Sequence, residues 1–498
     1  MDHQWAADAD RRSIVLRGNI ANIPQVIADN RGNSTFFHKL RKLPKMIRVE
    51  NRQFKSAHPE LDSFIYPSRN IDSLQRTLIS NPLDELDCLN HYCFGGRKNM
   101  NQDFLVLTLN DHSPGDETLF IAVQLLGTQS RVVHFDPSPL GVELARSRAQ
   151  KIGVADKIVW VTPDLQNVHR LFSVANDEKL PGLQKFDYVR CCGALNYCDD
   201  FDASLREMIG FIKPSGALGM SCFGAYGREP YRQFQAISDY LNSDEPGIQE
   251  EIDRLKELFV FSPEKNWTRL TFDNLLHDVR SMKDDAFAAN FVRKDRCGLT
   301  VPELYDVLEK NDLDLVNFAR HTRIMYQPWF AQKDPNLLEL LKSLPIQDTQ
   351  AVAEIAWNII EEHIFWASRQ QSSRADWNDW DNVPFFNPVS QSQNGWREKL
   401  LKTRTGVNPQ LLVEITAEEK YAIELPWNPQ IHRMIELIDG CRTFKDIVMT
   451  IREEQHGRIS TENILQSCTQ FLTAAELEDI ILLRHPKVVP LPFTSRTF

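Results

Sequence analysis

The chain has 498 residues, of which 42% are hydrophobic and 25% charged, with a formal net charge of −11. Those proportions belong to a folded globular protein of more than one domain. The acidic balance argues against a large nucleic-acid footprint, which needs a basic patch, and no stretch approaches the roughly 18 uninterrupted apolar residues of a membrane span.

Residues 1 to 85 read as a helical and irregular segment. Met1 to Asp10 has neither the basic nor the apolar region of a signal peptide. The stripe from His38 to Lys45 is basic, but such runs are more often a solvated helix face and turn. The nine cysteines are scattered. Cys191-Cys192 with Cys198 is the only cluster, and its spacing fits no common zinc site. Several cysteines lie in apolar runs, which points to reduced thiols and a cytoplasmic setting.

Residues 86 to 235 alternate strand and helix patterns. Phe104 to Leu109 is an apolar run of strand length. Asn110-Asp-His-Ser-Pro-Gly-Asp116 is rich in turn formers, and Leu119 to Leu126 follows as an apolar helical face. Arg131 to Phe135 reads as a second strand and ends on Asp136. A helix over Pro139 to Ala149, a strand over Lys157 to Val161 and Asp164 come next. Phe186 to Cys192 reads as a strand closed by Gly193, Ala203 to Ile212 as a helix, Lys213 to Gly216 as a turn, and Ala217 to Phe223 as a strand. Repeated strand–helix pairs with short loops predict an α/β fold, a doubly wound, mostly parallel sheet covered on both faces. Residues 236 to 400 read as a helical substrate or cap region, with Ile248 to Phe261 amphipathic. Trp377 to Phe386 and Ser390 to Gly395 read as linker or long loop. Residues 410 to 486 stand apart, with strand-like runs at Gln410–Thr416 and Lys420–Leu425 and helical faces near Ile431, Phe444 and Thr461.

In a sheet of this kind ligands bind at the carboxyl ends of the strands. Asp136 ends the second strand roughly 20 residues after Gly115, the spacing of a carboxylate that takes ribose hydroxyls. Asp164 falls at the next strand end, where an adenine would sit, and Cys192 and Gly193 end the fourth. An acid before a proline is also an ordinary surface turn, but each of these falls just after a strand in consecutive units. A dinucleotide fits poorly, because its G-x-G-x-x-G fingerprint is absent and Asp116 and Glu117 would repel a pyrophosphate at the helix N-terminus. The same two acids suit the sulfonium and ammonium of S-adenosylmethionine. They also suit a helix first turn for dipole reasons alone.

Leu89-Asn-His-Tyr-Cys-Phe-Gly-Gly-Arg97 resembles the N-HY-FGG entry of a group of bacterial class I methyltransferases. Tyr66-Pro-Ser-Arg-Asn70, Gly115-Asp-Glu-Thr118, Phe186-Asp-Tyr188, Cys192-Gly-Ala-Leu195, Tyr226-Gly-Arg228, Asp295-Arg296 and Val301-Pro-Glu-Leu-Tyr305 agree with it in order. The resemblance spans about residues 60 to 330. It implies a Rossmann-like methyltransferase domain over 86–235, with S-adenosylmethionine held by Gly115, Asp116, Asp136, Asp164, Cys192 and Gly193. Two places depart from that group. Its A-G-G-G-T-G-D loop is replaced by Asn110 to Asp116, one residue longer, and its G-V-L-H-H by Gly193-Ala-Leu-Asn-Tyr197.

The C-terminal unit, through Tyr421 to Leu425, Ile435 to Gly440 and Arg442 to Ile447, resembles a PqqD-like winged helix. That resemblance implies capture of a peptide as an added strand. A winged helix that merely packs on the catalytic domain fits the same residues.

The function expected is methyl transfer from S-adenosylmethionine to a peptide, protein or small molecule. His91, Tyr66 and Tyr226 are candidates to accept a proton, and each also fits a packed residue with a satisfied polar tip. The alternative is a catalytically degenerate methyltransferase fold that binds a partner. No metal, nucleic acid or membrane is expected to take part.

Overall fold

The computed structural model describes residues 81–110, 115–136, 139–161, 185–197, 201–241, 247–263, 265–266, 269–270, 279, 282–292, 297–328, 334–369, 374–404, 406–414 and 420–492. Tyr66, Asp164, the N-terminal segment to residue 80 and the loop residues Asp111 to Pro114 lie outside them.

A short 3-10 turn at Pro82–Asp84 leads into helix α1 (Leu86–Cys93). Strand β1 (Leu105–Leu109), α2 (Asp116–Gln124), β2 (Arg131–Phe135), α3 (Pro139–Ile152) and β3 (Ile158–Val161) follow. Then come β4 (Phe186–Cys192), α4 (Phe201–Ile209) and β5 (Ile212–Phe223). The helices α5 (Glu229–Leu241) and α6 (Ile248–Phe261) precede α7 (Val301–Glu309) and β6 (Asp314–Phe318). The last strand of the main sheet is β7 (Glu362–Ser368).

These strands form one seven-stranded sheet in the order β3-β2-β1-β4-β5-β7-β6. Strands β1 to β5 pair in parallel, and β7 runs antiparallel to both β5 and β6. Alternate residues of each strand enter different cores, as a period of two demands. On one face Leu107, Leu109, Val133, Val189 and Leu218 pack against Leu205, Met208 and Leu304 of α4 and α7. On the other, Val106, Val132, Tyr188 and Trp366 pack against Leu89 and Tyr92 of α1 and Leu119 and Ile121 of α2. A sheet buried on both faces is why these strands read as near-continuous apolar runs.

Three expectations need correction. The main sheet does not end near residue 235. Strands β6 and β7 complete it, so the region 236–400 is not one helical cap. A helical insert with its own core, including Tyr231, Phe234, Ile252, Phe259 and Phe291, accounts for the helical part. The expected turn at Lys213 to Gly216 is the first half of β5, and the irregularity there is a register shift against Phe186 and Tyr188 of β4. The expected linker holds strand β8 (Val383–Phe386) and a helix, Pro388–Asn394.

The C-terminal chain contains the hairpin β9 (Gln410–Glu414) and β10 (Lys420–Glu424), then α8 (Pro429–Leu437), α9 (Phe444–Glu454), α10 (Thr461–Ala475) and β11 (Ile481–Arg484). Thr443 closes a capping box at the start of α9, the signature that fixes a helix N-terminus. Leu425, Ile431, Ile447, Ile464 and Phe471 form the core of this unit. β11 pairs with β8, outside 410–486, and Trp377, Trp380 and Leu400 join its core. The unit therefore draws on chain well before residue 410.

Candidate cofactor site

Strand order reverses between β1 and β4, which makes their carboxyl ends the switch point where doubly wound sheets bind ligands. Register aligns Leu109 with both Phe135 and Cys191. Asn110, Asp136 and Cys192 therefore stand side by side at the edge, and the Asn110 N–H donates to the Phe135 carbonyl at 2.8 Å.

Asp136 is fully buried. It reaches α3 at Gly141, where an added Cβ would stand 2.9 Å from Oδ2. Gly115 holds the turn into α2 at φ +80°, and a Cβ there would meet the Ala145 Cβ at 2.6 Å. Left-handed backbone and a crowded α-carbon together require glycine. Asp116 does not face the crevice as a free acid. It is buried and ion-paired with Arg148 of α3; burial raises its pKa against the pull of Arg148. Gly193 turns at φ 67° into a short 3-10 helix, Ala194–Tyr197.

The sequence reading missed Asp84. It is fully buried, its Oδ1 accepts from Arg190 Nε at 2.9 Å, and its Oδ2 has no hydrogen-bond partner. Arg190 itself is anchored on the Cys191 carbonyl at 2.8 Å. Asn110 is buried with Nδ2 on Glu117 at 3.4 Å and Oδ1 unpaired. Burial pushes the Asp84 carboxyl up to about 7; Arg190 opposes this and Glu117 adds to it. Both acceptors are buried, and a buried acceptor without a donor is costly. No local signal marks Asp84, because its partner lies 106 residues away.

A second missed acid is Glu362, at the start of β7 opposite Phe223 of β5. Burial raises its carboxyl to about 6, while Ser221, Arg190 and Arg228 pull it down. The helical insert borders this edge, where the Tyr231 hydroxyl donates to Glu361 at 2.9 Å. Tyr226 follows β5 on the same edge and is 40% exposed.

His91 is not at this edge. The chain passes from Asp84, paired with Arg190 near the end of β4, through α1 to Lys98, whose ammonium bonds Asp187 at the start of β4 at 2.6 Å. His91 lies toward that amino-terminal end, buried, with Nδ1 accepting the Leu483 N–H at 3.0 Å. Burial holds its pKa down at about 3, so it is a neutral packing residue. The structure thus gathers Gly115, Asp136, Cys192, Gly193 and Tyr226 along one edge and leaves His91 out.

Residues 115–262 match a family model described as a methyltransferase domain. PKMT2 from Rickettsia typhi in complex with AdoHcy superposes with a TM-score of 0.51 at 12% identity, covering 82% of this chain and 76% of that one. The chain has the Rossmann-like methyltransferase fold. A second structure of the Rickettsia typhi PKMT2 gives 0.51 at 13% identity over 81% and 74% of the two chains. A methyltransferase from Geobacter sulfurreducens in complex with S-adenosyl-L-homocysteine gives 0.30 at 13% identity over 63% and 98%. A search of curated proteins returns no match. Among the described residues no group of His, Cys, Asp and Glu could hold a metal ion, and no helix is long and apolar enough to cross a membrane.

Proposed function

We propose that this protein transfers a methyl group from S-adenosylmethionine to a peptide, protein or small-molecule acceptor. The buried carboxylate of Asp136 at the end of β2 and the glycine turn at Gly115, both beside the β1/β4 switch point, carry the reading.

Asp136 would accept the ribose hydroxyls, and Asp84 and Asn110 would receive the ammonium. Gly115 lets the first loop turn close to the ligand. Bound there, S-adenosylmethionine supplies an activated methyl on a sulfonium. Positioning and exclusion of water then supply most of the rate. Glu362, half-buried and poised near neutrality, is the group on this edge best suited to take a proton from the acceptor. Tyr226, exposed beside it, would contact the acceptor. Calorimetry with S-adenosylmethionine on the full chain tests the reading. Saturable binding supports it, and no heat at millimolar cofactor overturns it.

A further inference from the structure

Asp84, whose carboxylate pairs with Arg190 near the end of β4, is bonded through its chain neighbour to the C-terminal unit. Glu85 makes a two-pronged ion pair with Arg320, with both contacts at 2.7 Å. Its Oε2 also accepts from Asn387 Nδ2 at 3.0 Å, just after β8. Arg320 stands 3.9 Å from Asp479. Asp479 in turn accepts from Arg323 at 2.9 Å and from the Tyr92 hydroxyl. Glu85, Arg320, Asn387 and Asp479 are all buried. Burial alone would raise the Asp479 carboxyl, but Arg323 and Arg320 outweigh it and hold it below the usual carboxylate range. On the other side, Gln124 of α2 brackets the same dipeptide. Its Oε1 accepts the Leu86 N–H at 2.9 Å, and its Nε2 donates to the Asp84 carbonyl at 2.8 Å.

A buried ion network fixes geometry more reliably than it adds stability. This one fixes the dipeptide that carries Asp84. We infer that Glu85, Arg320, Asn387 and Asp479 are positioning residues for the cofactor site, so that the C-terminal unit sets how Asp84 meets the ligand. The inference rests on the cofactor reading above. It gives the C-terminal unit a role in the affinity of the cofactor site.

The test uses the full-length chain, S-adenosylhomocysteine and calorimetry, beside hydrogen exchange at the Leu86 amide. Asn387→Ala removes one donor to Glu85, together with the cap of the Pro388–Asn394 helix, and leaves every charge in place. Glu85→Gln breaks the charged pair, and if it fails to fold, Asn387→Ala carries the test. Ile447→Ala, in the core of the C-terminal unit and outside the network, is the control for stability alone. The relay variants should weaken binding roughly five- to tenfold and speed exchange at Leu86. Ile447→Ala should lower Tm and change neither. The inference is overturned if the relay variants bind like the wild type, or if Ile447→Ala weakens binding as much as they do. Wild-type protein that binds no S-adenosylhomocysteine would instead remove the cofactor reading. The Leu86 exchange data would still show whether the network holds the dipeptide.

Discussion

Gly141 lies against the carboxylate of Asp136. A methyl at position 141 would stand 2.9 Å from Oδ2 and 3.2 Å from Cγ. In an exposed helix, glycine to alanine would gain about 1 kcal/mol of helix propensity. Here the added carbon must displace a buried acid. Gly141→Ala should therefore leave Tm close to wild type while weakening S-adenosylmethionine binding about tenfold, as removal of well-placed hydrogen bonds does. Unchanged affinity by calorimetry would show that the Asp136 carboxylate has room to move without consequence.

Asp136→Ala should cost about 1–3 kcal/mol of cofactor binding, from lost charged hydrogen bonds to the ribose. The variant must first be shown folded by circular dichroism, since Asp136 is buried. A folded variant with wild-type affinity would remove Asp136 from the site.

Binding should depend on pH through Asp84. Its folded carboxyl is raised to about 7 from 3.8, first by burial, with Arg190 opposing and Glu117 adding. A cationic ligand favours the ionised form, so affinity should rise between pH 6 and 8 with proton release. Stability runs the opposite way. The raised pKa favours the fold most below the unfolded value of 3.8, and this contribution is lost as pH climbs through about 7. Asp84→Asn should flatten the pH dependence of binding, which titration calorimetry in buffers of different ionisation enthalpy can measure.

Gly115→Ala should destabilise the protein by about 1–3 kcal/mol, because it combines a strained left-handed residue with overpacking. The Ala145 Cβ lies 2.6 Å from the new carbon. Gly115→Ala with Ala145→Gly should recover part of the loss in Tm, since the second change clears the collision and leaves the strain. No recovery would mean that backbone strain is the whole effect.

A fragment of residues 410–486 should melt without cooperativity. It lacks β8, the partner of β11, and cuts Asp479 away from Arg323 and Tyr92. A dispersed amide spectrum from that fragment would show that its helical core suffices alone.

The sequence by itself determined the alternation of elements in the sheet. Apolar runs such as Leu105 to Leu109 and Phe186 to Cys192 are periodic and local, and so is the glycine at 115 that ends a strand–helix turn. Asp136 was legible for the same reason, since its place follows from the strand before it. Tertiary structure alone decided the rest. β6 and β7 enter the sheet after a long insert, and nothing in 314–318 or 362–368 says which edge they join. Lys213-Pro-Ser-Gly216 carries turn chemistry, and it is kept inside a strand only as a bulge between the ladder pairs of Ile212 with Phe186 and Ala217 with Tyr188, which no local signal shows. His91 sits in a motif that looked catalytic, and only the direction of α1 along the sheet shows that it faces the wrong end. Asp84 and Glu85 look like an ordinary acidic pair before a helix. Their division between Arg190 and Arg320 depends on residues far away in the chain, and burial gives those two contacts their strength.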